Sequence, residues 1–260
     1  MALSVNLCIG FFLSGGAVPM AGQRNDQVRQ GQQELQGDML TKEQIVRAAV
    51  EVLDAEGVNG LNIRRLGAHL GSAASAMYYH VKSKDKLVVL AADHAFGEIP
   101  LPDTATVGWR EAAASLARGA YAMVVRHYWL IPAMSTHLIY GPNKAHFDEQ
   151  SLTIYESAGF TQAEADQAAA TVLMFVIGAA QGQAAQAAWQ AHLRRNGADA
   201  DKELQGITAE MLAIAQTLPR LRVRVDSAAI TPPGDPFEFG LQTLLAGLES
   251  RIHSPTSSAP

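Results

Sequence analysis

The spacing of apolar residues is helical almost throughout the chain from Thr41 onward, and this excludes most folds. Apolar side chains recur every three or four residues, which places them on one face of a helix. Apart from a short helix between Asn62 and Gly71, the predicted helices are 41–56, 74–80, 84–95, 109–128, 133–139, 144–158, 162–195, 207–218 and 236–252. An alternating pattern typical of a strand occurs only over Leu221 to Val225, where arginines interrupt it. The sequence therefore predicts an all-α fold.

The first three helical segments have the arrangement of a helix-turn-helix module. The first ends at Gly57, and the second begins after Asn62, a residue type that favours helix N-caps. Two short helices joined by a turn of a few residues place the second helix in the major groove of DNA. Between Asn62 and Lys86 the chain has five Lys or Arg residues and one acid, although its overall net charge is −5. This local basic surplus, which phosphate neutralisation needs, predicts DNA binding.

Three strings of residues in this region match a known family. They are TKEQIV from Thr41, LNIRRLG from Leu61 and, most specifically, MYYHVKSKDKL from Met77. The chain here resembles the N-terminal domain of tetracycline-repressor (TetR) family regulators. Gly159-Phe160 and the string FEFGLQTLLAGLE from Phe237 resemble, more weakly, the C-terminal domain of that family. The resemblance implies a three-helix DNA-binding domain followed by a helical bundle that binds a ligand and dimerises.

The expected domain boundaries follow from the helix pattern and the resemblance. We expect a flexible extension over 1–38, a DNA-binding domain over 39–86, a ligand-binding and dimerisation domain over 87–252, and a disordered tail over 253–260. The apolar run from Val5 to Leu13 is similar to the middle of a signal peptide, but no Lys or Arg precedes it. No later stretch is expected to supply the ~18 uncharged apolar residues of a membrane span. The sequence therefore predicts a cytoplasmic protein that does not enter a membrane.

The resemblance also implies which residues contact DNA. Arg64 and Arg65, near the start of the second helix, can reach a phosphate or a guanine edge. Small residues open the recognition helix, which departs from the tetracycline repressor and disfavours its operator sequence. Met77 and Val81 are expected in the core of the module. The predicted DNA contacts are Thr41, Arg64, Arg65, Ala74, Ser75, Ala76, Tyr78, Tyr79, His80 and Lys84.

Aromatic, Met and His side chains are concentrated between Trp109 and Tyr155. Together they suit an apolar pocket with few polar anchors, although each alone fits a packed core better. The resemblance favours the pocket. The predicted ligand contacts are Met123, His127, Met134, His137, Tyr140, Phe147, Ser151 and Phe175.

The resemblance breaks down where the tetracycline repressor binds its chelated metal. Tyr140 replaces a threonine, Gly182 replaces a metal-associated glutamate, and Pro100 replaces a ligand-binding histidine. A magnesium-chelated tetracycline is therefore a poor candidate effector. No spacing places His127, His137 and His146 on one face, so neither a metal site nor a cofactor is expected.

The helices over 162–195 and 236–252 are the predicted dimer interface. Gly178, Gly182 and several alanines on the first of them allow a partner helix to approach closely. In the family, these two helices pair with their symmetry mates, and the C2 dimer presents two recognition helices about 34 Å apart. The alternative is that both helices are internal core.

The predicted function is a ligand-responsive repressor that binds a palindromic operator in double-stranded DNA as a homodimer. A small hydrophobic or aromatic effector is expected to release it. Three alternatives stay open at this point: a transcriptional activator of the same family, an architectural DNA binder without a ligand, and an enzyme. The enzyme would use His127, His137, Asp148 or Glu149 as acid and base, but no nucleophile elbow or phosphate-binding loop accompanies these residues.

Overall fold

The computed structural model describes residues 40–71, 74–197, 199–228 and 234–252, and these residues form helices and no strand. The predicted extension over 1–38 and the tail over 253–260 lie outside them. The helices are α1 Lys42–Gly60, α2 Ile63–His69, α3 Ala74–Val81, α4 Lys84–Phe96, α5 Trp109–Arg126, α6 Leu130–Thr136, α7 Pro142–Ser157, α8 Gln162–Arg195, α9 Ala200–Gln216, α10 Pro219–Ala228 and α11 Pro236–Ile252. The all-α prediction is confirmed, and the strand-like segment Leu221 to Val225 is helical.

The N-terminal helices form a small module on α4. Helical geometry in α1 is interrupted at Gly57, whose φ of 69° lies in the left-handed region that favours glycine. Asn62 caps α2, since its side-chain oxygen accepts hydrogen bonds from the backbone N–H groups of Arg64 and Arg65. Met77 and Val81 of α3 are fully buried, as expected for the core of the module.

The rest of the described chain is a bundle arranged around α8. This 34-residue helix starts with a capping box between Thr161 and Glu164, and it packs against α5, α7 and α11. The helix α4 also packs against α1 and α7. It is thus shared between the N-terminal module and the bundle.

Three details of the predicted secondary structure were wrong. Helix α6 begins at Leu130 rather than near 133. Helix α9 begins at Ala200 rather than near 207, because the carboxylate of Asp199 accepts from two backbone N–H groups and caps it. A further helix, α10, follows it and was not predicted.

The prediction that no stretch is apolar enough to span a membrane was also wrong for α8. By length and composition alone α8 could cross a membrane, a test that the core helix of a soluble protein also passes. The segment from Gln167 to Ala191 contains no Asp, Glu, Lys or Arg, and its alanines raise the hydropathy. In this fold α8 packs against α5, α7 and α11 and also against α1, and 28% of its most apolar stretch is buried.

Candidate DNA-binding surface and ligand pocket

Arg64 and Arg65 have different surroundings although they are adjacent on α2. Arg65 donates from Nη1 to Oε2 of Glu56 over 2.9 Å, and its second nitrogen pairs with the other carboxylate oxygen. The exposed Arg64 side chain makes no hydrogen bond or ion pair with the residues that the structure describes. Arg64 is therefore available to a ligand outside the chain, whereas Arg65 holds α2 to α1.

The tyrosines of α3 are exposed on the side opposite the core residues Met77 and Val81. Tyr78 is 47% exposed and Tyr79 is 83% exposed. The ring of Tyr79 meets that of His80 edge-to-face at 5.3 Å between centroids. Tyr79 does not cover α1, so both hydroxyl groups are open to solvent. Ala74, Ser75 and Ala76 occupy the first turn of the same helix.

The turn between α3 and α4 positions Lys84. Lys82 adopts a φ of 55°, and Ser83 then caps α4 by accepting from the backbone N–H of Lys86 over 3.0 Å. Lys84 is the first residue of α4 and has no hydrogen bond or ion pair within the described chain. Thr41, exposed, directly precedes α1. The basic and hydroxyl groups of this module suit contacts with phosphate oxygens.

A small apolar cavity lies between α5, α7 and α8. The space that it encloses is about 20 Å³, enough for about one water molecule, so a larger occupant has to move the walls apart. The lining residues are Ala113, Leu116, Ala117, Ala120, Phe147, Ser151, Ile154, Tyr155, Ala169, Val172, Leu173 and Val176. Two hydroxyl groups, those of Ser151 and Tyr155, are the polar side-chain groups of this lining. Burial raises the pKa of Tyr155, so its hydroxyl stays protonated at neutral pH and can donate a hydrogen bond.

Of the eight predicted ligand contacts, Phe147 and Ser151 line this cavity and the other six do not. Met123 is buried in α5, and Met134 is half-buried in α6. The ring of Phe175 stacks on Phe237 of α11 at 5.7 Å. The alanines of the lining were not predicted, because an alanine on a helix face is as typical of close helix packing as of a cavity wall. Their signal is the spacing of Ala113, Ala117 and Ala120 on one face of α5.

His127 joins three parts of the chain instead of lining the cavity. Its Nδ1 lies 2.7 Å from Oδ1 of Asp54 on α1, and its Nε2 lies 3.1 Å from Oε2 of Glu98, which follows α4. The indole N–H of Trp129 donates to the same oxygen of Asp54 over 2.7 Å. With only 2% of its side chain exposed, His127 has both ring nitrogens occupied.

The two carboxylates set the protonation of His127. Burial alone would lower the pKa of His127, but the hydrogen bonds to Asp54 and Glu98 outweigh it and raise the pKa above its ordinary 6.5. Burial of Glu98 opposes a charge, yet His127 and Arg126 lower the pKa of Glu98. Asp148, another residue of the acid–base alternative, pairs with Lys144.

His137 and Tyr140 contact the first turn of α4. The Nε2 atom of His137 lies 3.4 Å from Oδ1 of Asp85. Lys86 donates from Nζ to the hydroxyl of Tyr140 over 2.8 Å and also lies above its ring. The segment between α6 and α7 is thus attached to the end of α4 that carries Lys84. Among the described residues, no group of three His, Cys, Asp or Glu side chains is arranged to hold a metal ion.

Comparisons with known proteins agree with this two-part arrangement. Residues 45–91 match the family model "Bacterial regulatory proteins, tetR family", and residues 101–252 match "Tetracyclin repressor-like, C-terminal domain". The HTH-type transcriptional repressor DrrR1 of Streptomyces coeruleorubidus is 35% identical over 213 residues, which cover 81% of this chain and 77% of that protein. The tetracycline repressor protein class A from transposon 1721 of Escherichia coli is 26% identical over 80% of this chain and 89% of its own length.

Solved structures give the same result. The Streptomyces coelicolor TetR family protein ActR in complex with actinorhodin superposes with a TM-score of 0.66 at 26% identity, over 85% of this chain and 99% of ActR. A helix-turn-helix module on a ligand-binding helical bundle defines a class of DNA-binding transcriptional regulators. This chain belongs to the TetR family.

Proposed function

We propose that this TetR-family regulator represses transcription from a palindromic operator and is released when a small hydrophobic or aromatic effector occupies the cavity between α5, α7 and α8. The observation that carries the proposal is the position of α4. This helix begins at Lys84, next to the exposed recognition helix, and packs along α7, which forms one wall of the cavity. An occupant that shifts α7 therefore has a direct path to the DNA-binding module.

On the DNA side, we propose phosphate or base contacts by Arg64, Tyr78, Tyr79, His80 and Lys84. These side chains are polar or charged and lie on one module. The proposed contacts of Thr41, Ala74, Ser75 and Ala76 rest on the family resemblance. For Arg65 we propose a positioning role, since its guanidinium is occupied by Glu56.

On the effector side, the lining favours a multi-ring apolar body with one or two polar groups. Phe147 supplies an aromatic wall, and the hydroxyl groups of Ser151 and Tyr155 can orient a carbonyl or phenol. The relatives agree, since ActR was solved with actinorhodin and another relative is a tetracycline repressor. Three of the predicted ligand contacts would affect the response to the effector without touching it, through their contacts with α1 and α4. They are His127, His137 and Tyr140.

For the dimer, we propose that α8 and α11 pair with their symmetry mates. Met174 on α8 is 56% exposed and Phe239 on α11 is 77% exposed. Large apolar side chains on two helices that pack together suit a C2 interface, which would set the spacing of the two recognition helices. A regulator of this kind acts where the DNA is, so we propose a cytoplasmic location.

An effector that moves α5, α7 and α8 apart has to supply the energy that release requires. Moving a population from 99% bound to 99% released takes about 5.5 kcal/mol of differential effector affinity between the two states. Burial of a few aromatic rings and one or two hydrogen bonds supplies this amount.

The proposal is tested by selecting a duplex from a randomised pool with the wild-type protein and then screening actinorhodin, tetracycline and related polycyclic compounds by thermal shift. An effector should raise the melting temperature and also release the selected duplex in a mobility-shift assay. If every stabilising compound leaves the duplex bound, cavity occupancy and DNA binding are not coupled and the proposal is wrong. If no duplex is enriched, its DNA-binding part fails.

A further inference from the structure

Asp93 of α4 caps a helix other than its own. Its carboxylate is buried, with 6% of the residue exposed, and Oδ1 accepts from the backbone N–H of Lys144 over 2.9 Å. The side chain of Asn143 donates to Oδ2 over 3.4 Å. Gly141, the N-cap residue of α7, has no side chain to satisfy these first-turn N–H groups. The charge of Asp93 also lies at the positive end of the α7 dipole, which stabilises it there.

The sequence around α7 is adapted to this approach. A Cβ atom on Gly141 would lie under 3.0 Å from the Asp93 carboxylate, so only glycine leaves room for it. Three residues after Gly141, the Lys144 ammonium lies above the rings of Phe96 and Phe147, 5.4 Å and 5.7 Å from their centroids. Those two rings meet each other at 5.4 Å. The C-terminal half of α4 and the first turns of α7 therefore form one closely packed contact.

We propose that Asp93 is a positioning residue that fixes α4 on α7, so that a displacement of the cavity wall on α7 moves the DNA-facing first turn of α4. On α7, the cavity residues Phe147 and Ser151 follow Lys144 by about one and two helical turns. On α4, Lys84 precedes Asp93 by nine residues, or about 14 Å of helix. The inference rests on the proposed function in one respect. It assumes that a displacement of α4 changes the contacts with DNA.

A double-substitution cycle tests this role. Gly141→Ala places a methyl group against the Asp93 carboxylate and should displace α4. We expect the variant to bind the duplex selected by the wild-type protein about tenfold more weakly, within the 5- to 150-fold range of allosteric coupling. Asp93→Ala removes both the cap and the clash. In that background Gly141→Ala should have no further effect on duplex affinity. Asp93→Asn keeps the bulk of the side chain and an acceptor for Lys144, so Gly141→Ala should keep its effect on duplex affinity in that background.

Hydrogen–deuterium exchange at residues 85–88 measures the effect of the same substitutions in the absence of DNA. The first turn of α4 should exchange faster in Gly141→Ala than in the wild type, and the substitution should lose this effect once Asp93 is replaced. The matched control is Gly240→Ala, which creates a similar clash with Phe175 between α8 and α11. It should lower the melting temperature and leave exchange at 85–88 unchanged.

Equal effects of Gly141→Ala in both backgrounds, including no effect in either, would overturn the inference. A wild-type protein that enriches no duplex contradicts the proposed function instead, and the exchange cycle then still decides the role of Asp93. The proposal is also overturned if these substitutions lower the stability of the protein but leave the exchange rate at residues 85–88 unchanged. Asp93 would then only cap α7.

Discussion

His127 connects α1 of the DNA-binding module to the bundle through two carboxylates. Its side chain is buried between Asp54 and Glu98, and Trp129 shares the Asp54 oxygen. A charged imidazolium between two carboxylates satisfies all three groups, whereas removal of any one of them leaves a partly buried polar group without its partner. His127 therefore helps to hold α1 on the bundle, together with the packing of α1 against α4 and α8.

The stabilisation by His127 is expected to depend on pH. Because the folded-state pKa of His127 is raised above 6.5, the folded state binds the proton more tightly than the unfolded chain. This stabilisation is fully present below the ordinary pKa and is lost as the pH rises through the folded-state pKa. His127→Gln should lower the free energy of unfolding at about pH 6 by about 1–3 kcal/mol and flatten its pH dependence.

Denaturant unfolding at a series of pH values measures this effect. The control is His192→Gln, which changes an exposed histidine of α8 and should keep the wild-type pH dependence. If His127→Gln follows the wild-type curve at every pH, His127 does not bridge the two carboxylates as a cation.

Tyr78 and Lys84 are the residues whose replacement should affect DNA binding alone. Lys84→Ala removes a phosphate contact, so it should weaken binding of the selected duplex and reduce the salt dependence by about one counterion. Tyr78→Phe removes one hydroxyl and should weaken binding by about 0.5–1.5 kcal/mol. Both side chains are at least partly exposed and make no hydrogen bond within the described residues, so the melting temperature should not fall.

Fluorescence anisotropy at several salt concentrations measures both variants. Lys202→Ala, an exposed lysine of α9, is the matched control and should bind like the wild type. An unchanged affinity for Lys84→Ala and Tyr78→Phe would refute the proposed DNA-binding surface.

At the scale of helices, the sequence predicts most elements because their ends carry local signals. Gly57 and Asn62 are such signals: helical geometry in α1 is interrupted at Gly57, and α2 begins directly after Asn62. Helices α9 and α10 were misjudged for a physical reason. The helix α9 buries no residue, so apolar spacing, which reports burial, does not indicate where it begins.

The cavity was harder to predict than the DNA-binding surface. The DNA-binding residues belong to one contiguous segment, and their pattern is specific. An internal cavity exists where side chains are small, and alanines on α5 equally fit a closely packed helix pair. The contact between Asp93 and Gly141 joins residues that are 48 positions apart in the chain, and no local pattern in the sequence indicates it.

Ser151 is the residue of α7 that tests the cavity as the effector site. Ser151→Ala removes the hydroxyl from the wall and leaves a methyl group. For a compound that stabilises the wild type, we expect affinity to fall about tenfold through loss of one hydrogen bond, about 1.4 kcal/mol, with the protein's own stability little changed.

Isothermal titration of the same compound into Thr153→Val provides the control. Thr153 lies on α7 but is exposed, and its hydroxyl donates to the backbone carbonyl of Glu149. Equal affinities for the two variants would place the effector elsewhere.

For the whole molecule, the charge distribution separates the DNA-binding module from the bundle. The chain has a net charge of −5 although the segment from Asn62 to Lys86 is basic. Some acidic residues of the bundle are paired with a basic residue. Arg118 of α5, for example, forms an ion pair with Glu238 of α11 at 2.8 Å. The hydrogen bonds from Arg118 and Gln242 lower the pKa of Glu238 to about 2, so this contact persists well below neutral pH. An acidic body repels DNA except at the basic module, which favours orientation over non-specific binding.

Dimerisation is a property of the whole molecule that the exposed faces of α8 and α11 predict. Phe239→Glu places a charge in the proposed interface and should produce a monomer that binds the selected duplex at least tenfold more weakly, because two half-sites are no longer engaged together. Light scattering after size exclusion measures the mass. Leu138→Glu, which alters an exposed leucine outside α8 and α11, should stay dimeric. A monomeric wild type at micromolar concentration would contradict the interface.

The most direct test of the central claim is a linkage measurement on the wild-type protein. The affinity for the selected duplex is measured with and without a saturating stabilising compound such as actinorhodin, and the affinity for that compound is measured with and without the duplex. We expect the compound to weaken DNA binding and the duplex to weaken compound binding by the same factor, between about 5- and 150-fold. A compound that binds the cavity and leaves the duplex affinity unchanged would contradict the account.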